Sequence, residues 1–222
     1  MLREAALVAG KDLRIELRSR VGAQQVAPFA LVVLVLFAIA FDADHALLQQ
    51  ASAGLFWVAV LLAAVLAVQR SFAVEASDAA RDGLRLSGLD PAAVFVGKAA
   101  AIGLQLAVLQ VVLAAGVVVL YSSALRDAPV VIGSAALATV GLAAAGTLYG
   151  VVAASLGVRE TLLPLLLLPV VAPVLLSASK AWQAALVPGS GDPATWLRVL
   201  AVFAVVYVAA GFLFFGSLLE ES

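Results

Sequence analysis

The sequence predicts an all-α integral membrane protein with six transmembrane helices, preceded by an amphipathic elbow helix. Three observations predict it. Hydrophobic residues fill 64% of the 222 positions and charged residues only 12%, with a mean hydropathy of +1.14, whereas soluble domains are roughly a quarter charged. Apolar runs near the ~20 residues that cross a bilayer recur along the chain, and a lone apolar strand cannot sit in lipid with unpaired backbone groups. Basic residues crowd the N-terminus and the connection after the second span, with none in the connection before it and one in each later connection, the pattern that sets orientation.

Residues 1–23 come first. Leu2, Ala6, Ala9, Leu13 and Leu17 share one helical stripe, with Lys11, Arg14, Glu16 and Arg18 elsewhere around the helix. Such a helix lies along the inner leaflet as an elbow. The six spans follow near 24–41, 51–69, 97–121, 130–155, 161–178 and 196–219. The first is the shortest and relies on tilt or local thinning of the bilayer. Ala38-Ile39-Ala40 resembles a signal-peptide cleavage site, but the long leading region mixes acids with its basic residues, so a retained span is expected.

Five Lys or Arg precede the first span (Arg3, Lys11, Arg14, Arg18, Arg20) and none lies in the loop after it, while the next connection holds Arg70, Arg81, Arg85 and Lys98. Both termini are therefore expected in the cytosol. His45 follows Asp42 and Asp44 in the first outer loop and reads as an exposed loop residue, not a metal or axial ligand.

Residues 70–96 form the larger cytosolic piece. Asp90-Pro91 reads as an N-cap followed by Pro at the first helical position, Ser87-Gly88-Leu89 as a turn, and Lys98 as a headgroup-level lysine whose ammonium snorkels outward. The elbow and the 70–98 stretch each hold eight of the chain's 13 basic and 14 acidic residues. Both signs are interspersed, which suits docking by another protein better than binding of an anion. On this reading Phe72 is an apolar anchor, and Glu75, Asp78, Arg81 and Asp82 fix register with the partner.

Gln105 and Gln110 in the third span are expected to bond between helices. The fourth span carries Gly146-Thr147-Leu148-Tyr149-Gly150, where Gly146 and Gly150 permit close helix approach inside the bundle or at a subunit interface. In the fifth, Pro169 and Pro173 lie four apart and are hinge candidates. Residues 179–195 read as a short amphipathic helix on the outer face followed by a turn, with Trp182 and Trp196 as interfacial anchors.

Several chemistries are excluded. The chain has no Cys and a net charge of −1, so thiol chemistry and bulk attraction to nucleic acid find no support. Gly97-Lys98 lacks the remainder of a phosphate-binding loop. ATP hydrolysis would have to come from a separate chain, and no enzyme activity, cofactor site or metal site is expected here. No ionisable group falls near a midplane, which argues against an ion-coupled carrier. Residues 1–222 form one membrane domain.

Taken in order, these pieces resemble the haem exporter B (CcmB) family of cytochrome c maturation. The resemblance rests on Asp12-Leu13-Arg14-Ile15-Glu16-Leu17-Arg18, Gly54-Leu55-Phe56-Trp57-Val58-Ala59 through Arg70 and Phe72, Asp82-Gly83-Leu84, Lys98, Leu163-Pro164, Leu168-Pro169 and Pro173-Val174-Leu175. Gln69 stands where an acidic residue is expected, and Ser87-Gly88-Leu89-Asp90 is less proline-rich than the family's run there. The resemblance implies an ABC-2-like exporter permease in the bacterial inner membrane, working with a CcmA-like ATPase and CcmC-like and CcmD-like membrane proteins. Haem, as cargo or complex-bound ligand, would reach a CcmE-like chaperone. A permease for a lipid or other hydrophobic substrate and a non-transporting scaffold are the alternatives.

Overall fold

The computed structural model describes residues 1–20, 22–42, 44–73, 88–122, 127–155, 159–186 and 191–221. Among them every regular element is helical: α1 (Leu2–Ser19), a π-helical segment (Gly22–Val26), α2 (Ala27–Ala40), α3 (His45–Ala73), α4 (Pro91–Tyr121), α5 (Ala128–Ser155), α6 (Arg159–Leu186) and α7 (Pro193–Glu221). Helices α3 to α7 are each long and apolar enough to cross a membrane. Helix α2 has 14 residues, about 21 Å. Joined to the π-helical segment it covers 22–40, about 28 Å, close to the ~30 Å hydrocarbon core. The chain is a multi-span membrane protein.

Caps fix several starts. Asp90 accepts the Ala92 N–H at 3.0 Å, with Pro91 at the first helical position of α4. Asp192 repeats the device before Pro193, accepting the Ala194 N–H at 3.0 Å and the Thr195 hydroxyl at 2.9 Å. These bonds, the Ala194 N–H first and then the Thr195 hydroxyl, hold the Asp192 carboxyl below its ordinary range. Asp44 accepts the Ala46 N–H at 2.8 Å. Helix α3 therefore begins at His45, six residues before the expected span, because the cap carries the helix beyond the apolar run.

Helix α5 is the hub, packed against α3, α4, α6 and α7. Its residues from Gly141 through Leu148 are all buried and mostly Gly or Ala, which lets neighbouring backbones approach closely. A Cβ at Gly146 would lie 2.6 Å from Val68 Cγ2, and one at Gly150 would overlap the Phe72 ring. The glycine pair thus seats α3 inside the chain's own bundle.

Several polar side chains in the bundle bond across helices, which offsets their burial in lipid, while the Trp57 and Trp182 indole N–H groups are buried without a hydrogen-bond partner among the described residues. Gln110 donates to Thr139 Oγ1 at 2.9 Å, the interhelical bond expected of it. Tyr121 donates to the Leu34 carbonyl at 2.9 Å. Tyr207 donates to the Val170 carbonyl at 2.5 Å, in the stretch of α6 bounded by Pro169 and Pro173, neither of which supplies a backbone donor.

One expectation about the outer segment is corrected. Residues 179–186 are not a separate surface helix but the last two turns of α6, and Trp182 is no interfacial anchor, being only 1% exposed. It packs between α3 side chains, its ring 4.0 Å from that of Phe56 and 5.8 Å from that of Trp57, centroid to centroid. The polar residues that suggested a surface helix lie on the other side of the same continuous helix: Lys180 donates to Gln183 at 3.2 Å in the exposed layer.

Candidate functional site

The end of the bundle that carries α1 collects the buried charge. Gly97 and Lys98 lie in the second turn of α4, which crosses α1. A Cβ at Gly97 would stand 2.7 Å from both the Ala5 carbonyl and Val8 Cβ, so only glycine admits the α1 backbone this closely. With α1 seated there, Ala5 and Val8 are buried and α1 roofs over the neighbouring lysine.

Lys98 is consequently 1% exposed. This corrects the expectation of a snorkelling ammonium: the contact that Gly97 allows puts a helix where headgroups would be. Its Nζ lies 3.6 Å from Asp12 Oδ2, and the Asp12 side chain is itself only 10% exposed. The other Asp12 oxygen lies 3.1 Å from Lys11 Nζ. On the opposite side the ammonium sits 4.8 Å from the centroid of the Phe72 ring. Desolvating an unpaired ammonium costs several kcal/mol, so the carboxylate and the ring face, worth about 0.5–2 kcal/mol, make the burial tolerable.

Phe72 is the last link. It is 5% exposed at the C-terminal end of α3, and its ring lies over Gly150 of α5. One cluster therefore joins α1 through Asp12, α3 through Phe72, α4 through Lys98 and α5 through Gly150. Nearby, Phe95 of α4 meets Phe212 of α7 edge-on and Phe215 at a tilt, at 5.9 and 5.6 Å between centroids, and a Cβ at Gly211 would overlap the Phe95 ring. Arg70 Nε and Ser71 Oγ are also buried at this end, with no acceptor or donor among the described residues.

A family model described as CcmB protein matches residues 3–220. The chain belongs to the CcmB family. It is 30% identical over 212 residues to heme exporter protein B of Pseudomonas aeruginosa, covering 93% of this chain and 95% of that protein.

In this CcmB family member the expected site residues fall into three groups. Phe72 is brought into the cluster, as a buried anchor facing Lys98 and α5. Glu75, Asp78, Arg81 and Asp82 lie outside the described residues. Gly146 and Gly150 pack against α3, while Pro169 and Pro173 lie inside an α6 that runs helical throughout. Asp12 is the participant that sequence reasoning missed. Its signal was available: Asp12 sits off the apolar stripe, on the side of α1 that carries Ala5 and Val8, and Lys98 is the only basic residue between 86 and 125.

Proposed function

We propose that this chain is the membrane-embedded subunit of an ABC-type haem-export complex in the bacterial cytoplasmic membrane, with both termini in the cytosol. It is an ABC-2-like permease with no catalytic residue of its own. A separate CcmA-like ATPase docks on residues 72–82, with Phe72 as the apolar anchor and Glu75, Asp78, Arg81 and Asp82 setting register. CcmC-like and CcmD-like membrane proteins complete the complex, and haem is cargo passed toward a CcmE-like chaperone.

Family membership and the name of the Pseudomonas relative support the haem assignment. The coupling assignment rests on one observation: Phe72, at the start of the docking segment, is packed on Lys98 and Gly150. A displacement of that segment would therefore load α1, α4 and α5 together. Pro169 and Pro173 are the proposed hinge, with the Tyr207 hydroxyl bracing the carbonyl between them.

The test is charge reversal of Glu75→Lys with Asp82→Lys in the complete complex. Loss of ATPase co-purification with normal membrane insertion supports the reading, and unchanged co-purification removes it. Haem in the purified complex, read from its absorption spectrum, tests the cargo separately.

A further inference from the structure

We propose that α1 holds an anionic phospholipid headgroup on the face formed by Lys11, Arg14 and Arg18. Seen in the structure, α1 has three faces and not two. Ala5, Val8 and Asp12 face the bundle. The apolar stripe does not bury itself there: Leu2 is 87% exposed and Leu17 76%, as a stripe facing acyl chains should be. The third face carries Lys11, Arg14 and Arg18 beside Leu7 and Ile15, lining a shallow groove along the helix over Gly10.

Of the three acids of α1, Asp12 and Glu16 stand four apart on another side of the helix, while Glu4, seven residues before Lys11, shares the Lys11 stripe and is paired with the terminal amine at 3.4 Å. Asp12 turns inward to Lys98 while also touching Lys11. None of the ion pairs among the described residues engages Arg14 or Arg18. A helix with seven charged residues between 2 and 19 stays at the membrane–water boundary, where its apolar stripe enters the acyl layer and sets the groove at headgroup depth. Guanidinium groups one turn apart match phosphate oxygens bidentately, and the net positive charge of the Lys11, Arg14 and Arg18 face favours lipids with a net negative charge. The inference stands on the geometry of α1 and not on the cargo proposed above.

Native mass spectrometry of the full-length protein, extracted from vesicles of equal phosphatidylglycerol and phosphatidylcholine, tests it. The wild type is expected to retain phosphatidylglycerol in excess. Arg14→Gln with Arg18→Gln should cut that excess by about 25-fold, from roughly fivefold per basic residue at an anionic surface, while Arg14→Lys with Arg18→Lys keeps most of it. Equal retention of the two lipids by the wild type, or equal enrichment in the wild type and the Gln variant, overturns the proposal. If the Gln variant does not insert, salt decides on the wild type alone: enrichment that falls as salt screens the arginines supports the site, and enrichment indifferent to salt overturns it.

Discussion

At the α1 end, helices from four parts of the chain converge on one buried ammonium, held by Asp12 and the Phe72 ring. At the far end, α3 and α6 meet through three aromatic rings, Phe56, Trp57 and Trp182, with no charge among them. An aromatic cluster tolerates small slips, because dispersion falls gradually and rings re-tilt. A buried ion pair is less forgiving, since separating it strands a charge in a poorly solvated place. The two ends therefore differ in how they transmit displacement: the α1 end moves as one unit or breaks, and the far end yields.

The sharpest way to break this contrast is to damage each end equally. Asp12→Asn should lower unfolding stability in detergent by about 3–5 kcal/mol, the range for removing one partner of a buried pair. Trp182→Ala should cost a similar ~3–5 kcal/mol through lost packing and a cavity. Hydrogen exchange separates them. Amides of α1 should exchange faster in Asp12→Asn and remain as in the wild type in Trp182→Ala. Faster α1 exchange in both would mean that the ends are not mechanically distinct.

A smaller effect sharpens the same comparison with one methyl group. Gly97→Ala places a Cβ against the Ala5 carbonyl and Val8, neither of which can swing away, so a loss of about 1–3 kcal/mol is expected. Gly54→Ala at the far end meets only Ser179 Oγ at 3.9 Å. Ordinary contact there, with the better helix propensity of Ala, predicts no loss or a gain of about 0.5–1 kcal/mol. Thermal unfolding of the two variants reads the difference.

What the sequence revealed and concealed divides along the same line. The spans and the Asp90-Pro91 start were legible because hydropathy and caps act over a few neighbouring residues. The Gln110 bond and the close approach at Gly146 were legible because a polar or minimal side chain in lipid leaves few other uses. Lys98 was not. Whether a lysine near a helix end snorkels depends on what covers it, and that cover is α1, some 85 residues earlier and admitted by Gly97. Trp182 failed for the same reason. An aromatic near a span end is an interfacial anchor only if no neighbouring helix extends past it, and α3 extends far enough to supply Phe56 and Trp57. Most of the proposed docking residues, from Glu75 to Asp82, fall outside the described structure.

The smallest expected effect belongs to the far end. Asp192 has its carboxyl depressed by the Ala194 N–H and then the Thr195 hydroxyl. A depressed folded value contributes stability above the ordinary carboxylate range and loses it as pH falls through that value. Asp192→Asn should therefore flatten a shallow acid-side decline in thermal stability while leaving α1 exchange untouched. An unchanged pH profile would show that this cap contributes nothing measurable.

The measurement that tests the account most directly is a double-mutant cycle on the buried pair, read by unfolding of the purified protein. Asp12→Asn alone strands Lys98 and should be strongly destabilising, while Lys98→Met alone costs less because Asp12 keeps Lys11 at 3.1 Å. The double variant, with no charge left to strand, should recover most of the Asp12→Asn loss. Losses that simply add would contradict the claim that Asp12 and Lys98 form the tie between α1 and the bundle.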